Sequence, residues 1–194
     1  ASLAGLEKAT KEEGPAEVEL AIKRILLLHG IILTAGGIPL LYLGDEIGIL
    51  NDYGYQDDPA QKGDSRWVHR VKADWELYAK RTDQNTIQGR VYHDLQELIK
   101  LRKTHPTFSC GDLEIILTKN EHVLGFVRRN ANKQVVIFVN FSESPQTICS
   151  LVLNEQNIHI SAKLHGASNF AQGQELVIEP LDLLVFSEIV SGKF

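Results

Sequence analysis

From Pro15 onward the apolar residues Val18, Ile22, Ile25, Leu26, Ile32 and Leu33 recur at helical spacing, and the pattern stops at Gly36-Gly37. This predicts a helix that opens on a proline, whose missing N–H costs nothing at a first helical position, and closes on a glycine turn. Leu27, Leu28 and Ile31 fill the other faces of its second half, where charges vanish, so that half is expected to be the more enclosed. Residues 1–14 read as an irregular or short helical lead-in. Beyond the glycines, Ile38 to Leu43 is apolar or aromatic without alternation, the pattern of a strand covered on both faces in a parallel α/β sheet. Pro39 cannot donate to a ladder and belongs at that strand's start. Gly44 stops the run and delivers two carboxylates, Asp45 and Glu46, at its end. They are candidates for chemistry or, more simply, for capping the loop that follows.

A long polar segment runs from Asn51 to about Arg81, with Tyr53, Tyr55, Trp67 and Trp75 set among Asp52, Asp57, Asp58, Asp64 and Asp74. Loops of this length inside a domain are uncommon and usually functional. Aromatic faces stack on the C–H groups of sugars while acids and amides read hydroxyls, so a sugar pocket fits the composition; a surface loop anchored by its tryptophans also does. Asn85 or Thr86 can cap the next helix. Ile87, Val91, Tyr92, Leu95, Leu98, Ile99 and Leu101 give it an apolar side, and His105-Pro106 ends it. From there the pattern becomes β-rich: 113–118, 123–129, 134–141, 147–152, 158–164 and 176–188 are short runs separated by turn residues such as Asn120-Glu121 and Asn130-Ala131-Asn132. Such spacing predicts an antiparallel sandwich.

Composition narrows the partners. A net charge of −5 argues against nucleic acid or an anionic membrane, both of which call for a basic surface. Ile25 to Leu43 holds no Lys, Arg, Asp or Glu, but Gly36-Gly37 and Pro39 divide it, and a buried helix followed by a buried strand is expected rather than a membrane span. Two cysteines, Cys110 and Cys149, are too few for a disulfide scaffold and are expected as buried free thiols. The histidines are scattered singly, so no metal site is expected, and no phosphate-binding glycine pattern or nucleophile motif occurs; no cofactor is implied. No secretory signal or lipidation motif is visible, which leaves a cytoplasmic setting as the default. The chain has no methionine, even at position 1, which points to processing or excision from a longer polypeptide.

The run Gly37-Ile38-Pro39-Leu40-Leu41-Tyr42-Leu43-Gly44-Asp45-Glu46 resembles the eighth barrel strand of the alpha-amylase superfamily of glycoside hydrolases. With Asp64-Ser65-Arg66-Trp67-Val68-His69-Arg70 downstream, the resemblance is to the amylosucrases in particular. It covers almost the whole chain but only the last third of such an enzyme. The fold it implies is the last helix–strand–helix of a (β/α)8 barrel over residues 1–105, with a long loop after the strand, followed by an all-β antiparallel sandwich over 106–194. A retaining glycosidase needs two carboxylates about 5 to 5.5 Å apart. The resemblance places these, with a third, on barrel strands four, five and seven. A whole barrel takes about 250 residues, so the catalytic carboxylates are expected to be absent here, and Asp45 and Glu46 are not recruited in their place.

What the resemblance does assign is Arg66, matching the arginine that closes the bottom of the glucosyl pocket by pairing with an aspartate from an early barrel loop. A guanidinium suits that task because its fork binds a carboxylate bidentately and stays charged. Alpha-glucosidase relatives carry an Arg-Thr-Pro-Met-like stretch where this chain has Arg-Trp-Val-His. Arg66 as an ordinary loop ion pair is the plainer alternative. Asp45, Glu46 and Asp64 are placed on the pocket rim. The implied parent transfers glucose from sucrose to an α-glucan; a sucrose hydrolase or another alpha-glucosidase is the alternative within the class, and a non-catalytic carbohydrate-binding module the alternative outside it. Sucrose and α-glucan are the implied partners, and the unpaired barrel edge is expected to make the fragment self-associate.

Overall fold

The computed structural model describes residues 2–130, 133–167 and 175–188. The chain divides into two units, one made of residues up to Leu26 with Leu40–Gln96, the other of Leu27–Pro39 with Glu97 onward.

In the first unit the lead-in is helical: α1 spans Leu6–Glu12, entered through Gly5 at φ 82°. Helix α2 spans Pro15–Thr34 and opens on the expected proline. Leu6 and Ala9 of α1 pack with Ala21, Ile22 and Ile25 of α2 and with Val91, and Val18, Leu26, Leu50 and Ile87 close the cluster. After a 3-10 turn at Asp45–Ile47, Gly48 sits at φ 61°, and a Cβ there would lie 3.1 Å from a Leu6 methyl, so a side chain would be strained and crowded at once. Between Asn51 and Arg81 the chain makes tight 3-10 turns and one short helix, α3, at Trp75–Ala79. Helix α4 spans Ile87–Thr104. Thr86 caps it as expected, its hydroxyl accepting the Gly89 N–H at 3.0 Å.

The second unit carries the sheet. Strands β1 (Asp112–Ile116), β2 (Val123–Asn130), β3 (Lys133–Asn140) and β4 (Gln146–Ile148) are followed by α5 (Ser150–Glu155), β5 (Ile160–His165), β6 (Leu176–Ile178) and β7 (Leu183–Glu188). All pairings are antiparallel: a five-stranded sheet in the order β1-β2-β3-β7-β5 and a two-stranded ribbon, β4-β6. Val127, Val136, Phe138, Leu184 and Phe186 of the sheet share one core with Ile148, Leu176 and Ile178 of the ribbon and Val152 and Leu153 of α5. Each such side chain removed from water stabilises by about 1.5–3 kcal/mol before entropy is counted. Strand β3 is buried from Val135 to Asn140, as a central strand covered on both faces must be. On β7, Leu183 packs so closely on Gly30 that a Cβ there would stand 2.8 Å from it.

Asn140 ties the sheet to the ribbon. Fully buried, its amide donates to the carbonyls of Ser144 (2.8 Å), Ile178 (3.2 Å) and Glu179 (2.9 Å), and its oxygen accepts from the Ser142 N–H and hydroxyl, each at 2.8 Å. A buried amide so satisfied fixes one geometry for the two turns that meet at it.

Three expectations are corrected. Residues 38–43 form no strand: Ile38 and Leu40 are 98% and 80% exposed, and Tyr42 and Leu43 are exposed too. A strand exists through its neighbours, and the described strands begin at Asp112 and pair only among themselves. The helix–strand–helix is therefore a helix, an extended segment and a helix. Second, the apolar run after Thr147 turns helical at Ser150, leaving a three-residue β4. Third, 176–188 is two strands, broken where Leu181 takes φ 52° after Pro180. The enclosure expected for the second half of α2 is also incomplete, since Ile32 is exposed.

Replacing Asn140 by Ala removes five hydrogen bonds made by one buried amide, three to carbonyls and two from Ser142. We expect a loss of about 1–3 kcal/mol, read as a lower midpoint in urea at unchanged slope. An unchanged midpoint would mean that the amide network is not what holds the ribbon.

Candidate functional site

The two carboxylates after the apolar run lie in the 3-10 turn framed by Gly44 at φ 99° and Gly48 at φ 61°. Both are half-buried. Glu46 reaches back to accept the Gly44 N–H at 2.7 Å, the capping role expected as its plainer use. It also accepts from the Tyr78 hydroxyl, whose pKa is raised first by burial and then by the Glu46 charge.

In the long segment most of the aspartates serve the backbone. Asp52 accepts the Gly54 N–H (2.8 Å), Asp58 the Ala60 N–H (2.9 Å), Asp83 the Asn85 N–H (3.0 Å), and Asp74 caps α3 through the Leu77 N–H (3.0 Å). Each is a short local loop that an Asp side chain closes on itself. The segment is thus a string of self-capped turns, and its acids are not free to line a pocket in common.

Asp64 and Arg66 are brought together. Asp64 caps the 3-10 turn Ser65–His69 by accepting the Arg66 N–H at 3.0 Å. The Arg66 guanidinium donates from Nε at 2.8 Å and from Nη2 at 2.8 Å to the two carboxylate oxygens, a bidentate fork. The Arg66 side chain remains largely exposed. Beside it, Arg70 lies over the Trp67 ring at 5.0 Å. The side-chain and backbone hydrogen bonds from Arg66 lower the Asp64 pKa to about 2.

One cluster has no counterpart in the sequence reading. Glu7 on α1 accepts from the Asn51 amide (2.8 Å), the Tyr53 hydroxyl (3.2 Å) and Lys11 (2.6 Å). The Asn51 oxygen contacts the Ser2 hydroxyl (2.8 Å) and a His69 ring nitrogen (3.0 Å). The group lines an open polar cleft of about 460 Å³. Lys11 holds the Glu7 carboxyl below its usual range, ahead of the opposing effect of burial. No sequence signal announces it, because its two halves, around Glu7 and around Asn51, stand 44 positions apart.

Among the described residues no group of His, Cys, Asp and Glu is arranged to hold a metal ion, and no helix is long and apolar enough to cross a membrane. Both cysteines are free, but neither is fully buried: Cys149 is half-buried, and Cys110 is exposed, its Sγ–H turned to the Pro106 carbonyl.

No family model matches the chain. The glucosylglycerate phosphorylase of Escherichia coli is 28% identical over 167 residues, 83% of this chain and 27% of that enzyme. Among solved structures, Amy13B of Eubacterium rectale superposes with a TM-score of 0.63 at 18% identity, over 88% of this chain and 35% of that one. A mutant of MutB, solved in complex with sucrose, gives a TM-score of 0.59 at 20% identity over 84% of this chain and 38% of that one. At such identities the structural likeness is one of fold. The chain spans 27% of the length of that phosphorylase and 24% of the glucosylglycerate phosphorylase of Allomeiothermus silvanus, to which it is 27% identical. Its mixed fold, N-terminal helices and then an antiparallel sheet, aligns with part of the Amy13B and MutB structures.

The depressed pKa of Asp64 carries a pH prediction. A carboxylate whose pKa falls on folding contributes stability that is present above its unfolded value and lost as the pH drops through its folded one. The turn at Ser65–His69 is thus expected to hold at pH 4 and loosen toward pH 2. A carboxyl NMR titration should place Asp64 near 2, and Arg66→Ala should return it to the ordinary carboxylate range. A midpoint near 4 in the unaltered chain would contradict the ion pair.

Proposed function

We propose that the chain is the C-terminal part of an enzyme of the alpha-amylase family that transfers or releases the glucosyl unit of a small α-glucoside. In this reading residues 1–105 complete a (β/α)8 barrel whose catalytic carboxylates lie in the preceding part of the enzyme, and residues 106–194 form its antiparallel β domain. The observation that carries it is the Asp64–Arg66 turn: a preformed bidentate pair on a solvent-facing loop, with the guanidinium still accessible. Curated relatives alignable over most of the chain support the family, and a sucrose-bound neighbour supports a sugar as ligand.

Chemically, Arg66 has one task. In a retaining glycosidase the anomeric carbon must be held against the nucleophile, and a charged wall that bonds the far hydroxyls of the ring fixes that distance. In the whole enzyme Arg66 keeps its charge toward the glucosyl unit and is shared between Asp64 and an acid outside this chain. Asp45 and Glu46 lie on the rim, where Glu46, bonded to Gly44 and Tyr78, shapes the loop rather than the bond to be broken.

The donor has two readings. Sucrose as donor, with an α-glucan as acceptor, rests on the Arg66 stretch and its likeness to amylosucrases. Glucosylglycerate, with phosphate as acceptor, rests on the name of the relative that covers 83% of the chain. The extended reading frame that contains this chain, assayed with sucrose and with glucosylglycerate in the presence and absence of phosphate, separates the two.

Two outcomes are expected. The isolated chain neither cleaves sucrose nor elongates a glucan; turnover that follows the pure chain and vanishes in Glu46→Gln would overturn this. In the whole enzyme Arg66→Ala lowers kcat/KM by roughly a hundredfold or more, about 3 kcal/mol of transition-state stabilisation, with the fold retained. Arg70→Ala, which uncovers only the Trp67 ring, costs less. Equal effects of the two substitutions would return Arg66 to the ordinary surface charges.

A further inference from the structure

The chain has two tryptophans, and the structure treats them differently. Trp67 is half-buried and the Arg70 guanidinium lies over its ring. Trp75, on α3, is 77% exposed. A water-facing indole forfeits most of the stabilisation that burying it would give, so its place calls for an account. It does not stand alone: Tyr78, one helical turn on, has its ring centroid 5.7 Å from that of Trp75, the planes tilted by 43°.

Hydrogen bonds fix the helix that carries the pair, and the Tyr78 ring. Asp74 caps α3 at the Leu77 N–H, Arg81 donates to the Tyr78 carbonyl at 2.8 Å, and the Tyr78 hydroxyl is engaged by Glu46. Holding the rings before a ligand arrives removes part of the ordering cost of binding. The surroundings then select the ligand. Asp74 and Glu76 flank Trp75 in the chain and are exposed, and Glu46 lies beyond Tyr78. An apolar peptide laid on the rings would strip water from these carboxylates without replacing their hydrogen bonds. An anion would be repelled by them. A pyranose meets both demands, since its C–H face stacks on a ring while its hydroxyls donate to carboxylates.

We propose that Trp75 and Tyr78 form a stacking platform for a glucosyl unit of an α-glucan, with Asp74, Glu76 and Glu46 as the acceptors around it. This rests on the carbohydrate reading above and adds to it a second place where this chain itself touches a glucan.

The test uses the chain as it is, titrated with maltoheptaose while the two indole N–H resonances are followed by NMR. The Trp75 resonance is expected to shift in a saturable way in the millimolar range and the Trp67 resonance to stay. Trp75→Ala should weaken binding about tenfold or more, and Trp75→Phe less, with the amide spectrum otherwise unchanged because the side chain is exposed. Absence of a shift, or a shift with the same affinity in Trp75→Ala, overturns the platform. So does a Trp75 resonance that moves with protein concentration instead, which would show a second copy covering the indole. None of these outcomes alters the Arg66 kinetics, so the two readings fail separately.

Discussion

Two guanidinium groups hold the end of α2. Arg102 donates to the carbonyls of Leu33 and Gly37, and Arg128 to those of Ala35 and Phe108. The Leu33 and Ala35 carbonyls are among those that a helix leaves without partners at its last turn, where its dipole also favours a positive charge. Arg128 is only 5% exposed and its hydrogen bonds go to backbone carbonyls. Burial, with Arg102 nearby, lowers its pKa, yet an arginine stays charged well past neutral pH. The helix end and the Asp112 carboxylate oppose its charge. The arrangement also explains Gly36, which sits at φ 109° with the Arg128 Nη1 2.7 Å from where a Cβ would be. Only glycine fits a left-handed turn pressed onto a guanidinium.

From that fixed point the chain has two unlike fates. The sheet of the second unit meets its own needs: every described strand has an antiparallel neighbour, and the central β3 is covered on both faces. Residues 38–43 leave the glycine turn with the composition of a buried parallel strand and none of the strands it would pair with. Ile38 and Leu40 stay exposed while Val135–Asn140 are buried, so an apolar run becomes a strand only where a neighbour pairs with it.

Local signals were legible in the sequence, and non-local ones were not. Pro15, Gly36-Gly37, Thr86 and Pro106 bound helices through chemistry that acts within one turn, and the helices begin and end there. Strand β3 follows from the uninterrupted run Val135–Val139, and β2 from the apolar run Val123–Val127, broken only by Gly125. The run after Thr147 misled because a short apolar stretch suits strand and helix alike, and packing on the shared core chose helix for Ser150–Glu155. Residues 38–43 misled because a strand is a property of its neighbours. At the candidate site, Asp64 and Arg66 could be paired by eye at a spacing of two. The use of Asp52, Asp58 and Asp83 as turn closers was legible too, since each stands two positions before the N–H it accepts. The Glu7–Asn51 contact was beyond reach, because nothing in either neighbourhood refers to the other.

The central claim is that residues 38–43 have no strand to pair with while every described strand has its neighbour. Amide hydrogen exchange on the dilute chain tests this most directly. We predict that Ile38 and Leu40–Leu43 exchange near the rate of an unstructured peptide, while Val136–Val139 exchange only through global opening. Protection of 38–43 equal to that of β3, at a concentration where the chain is monomeric, would contradict it.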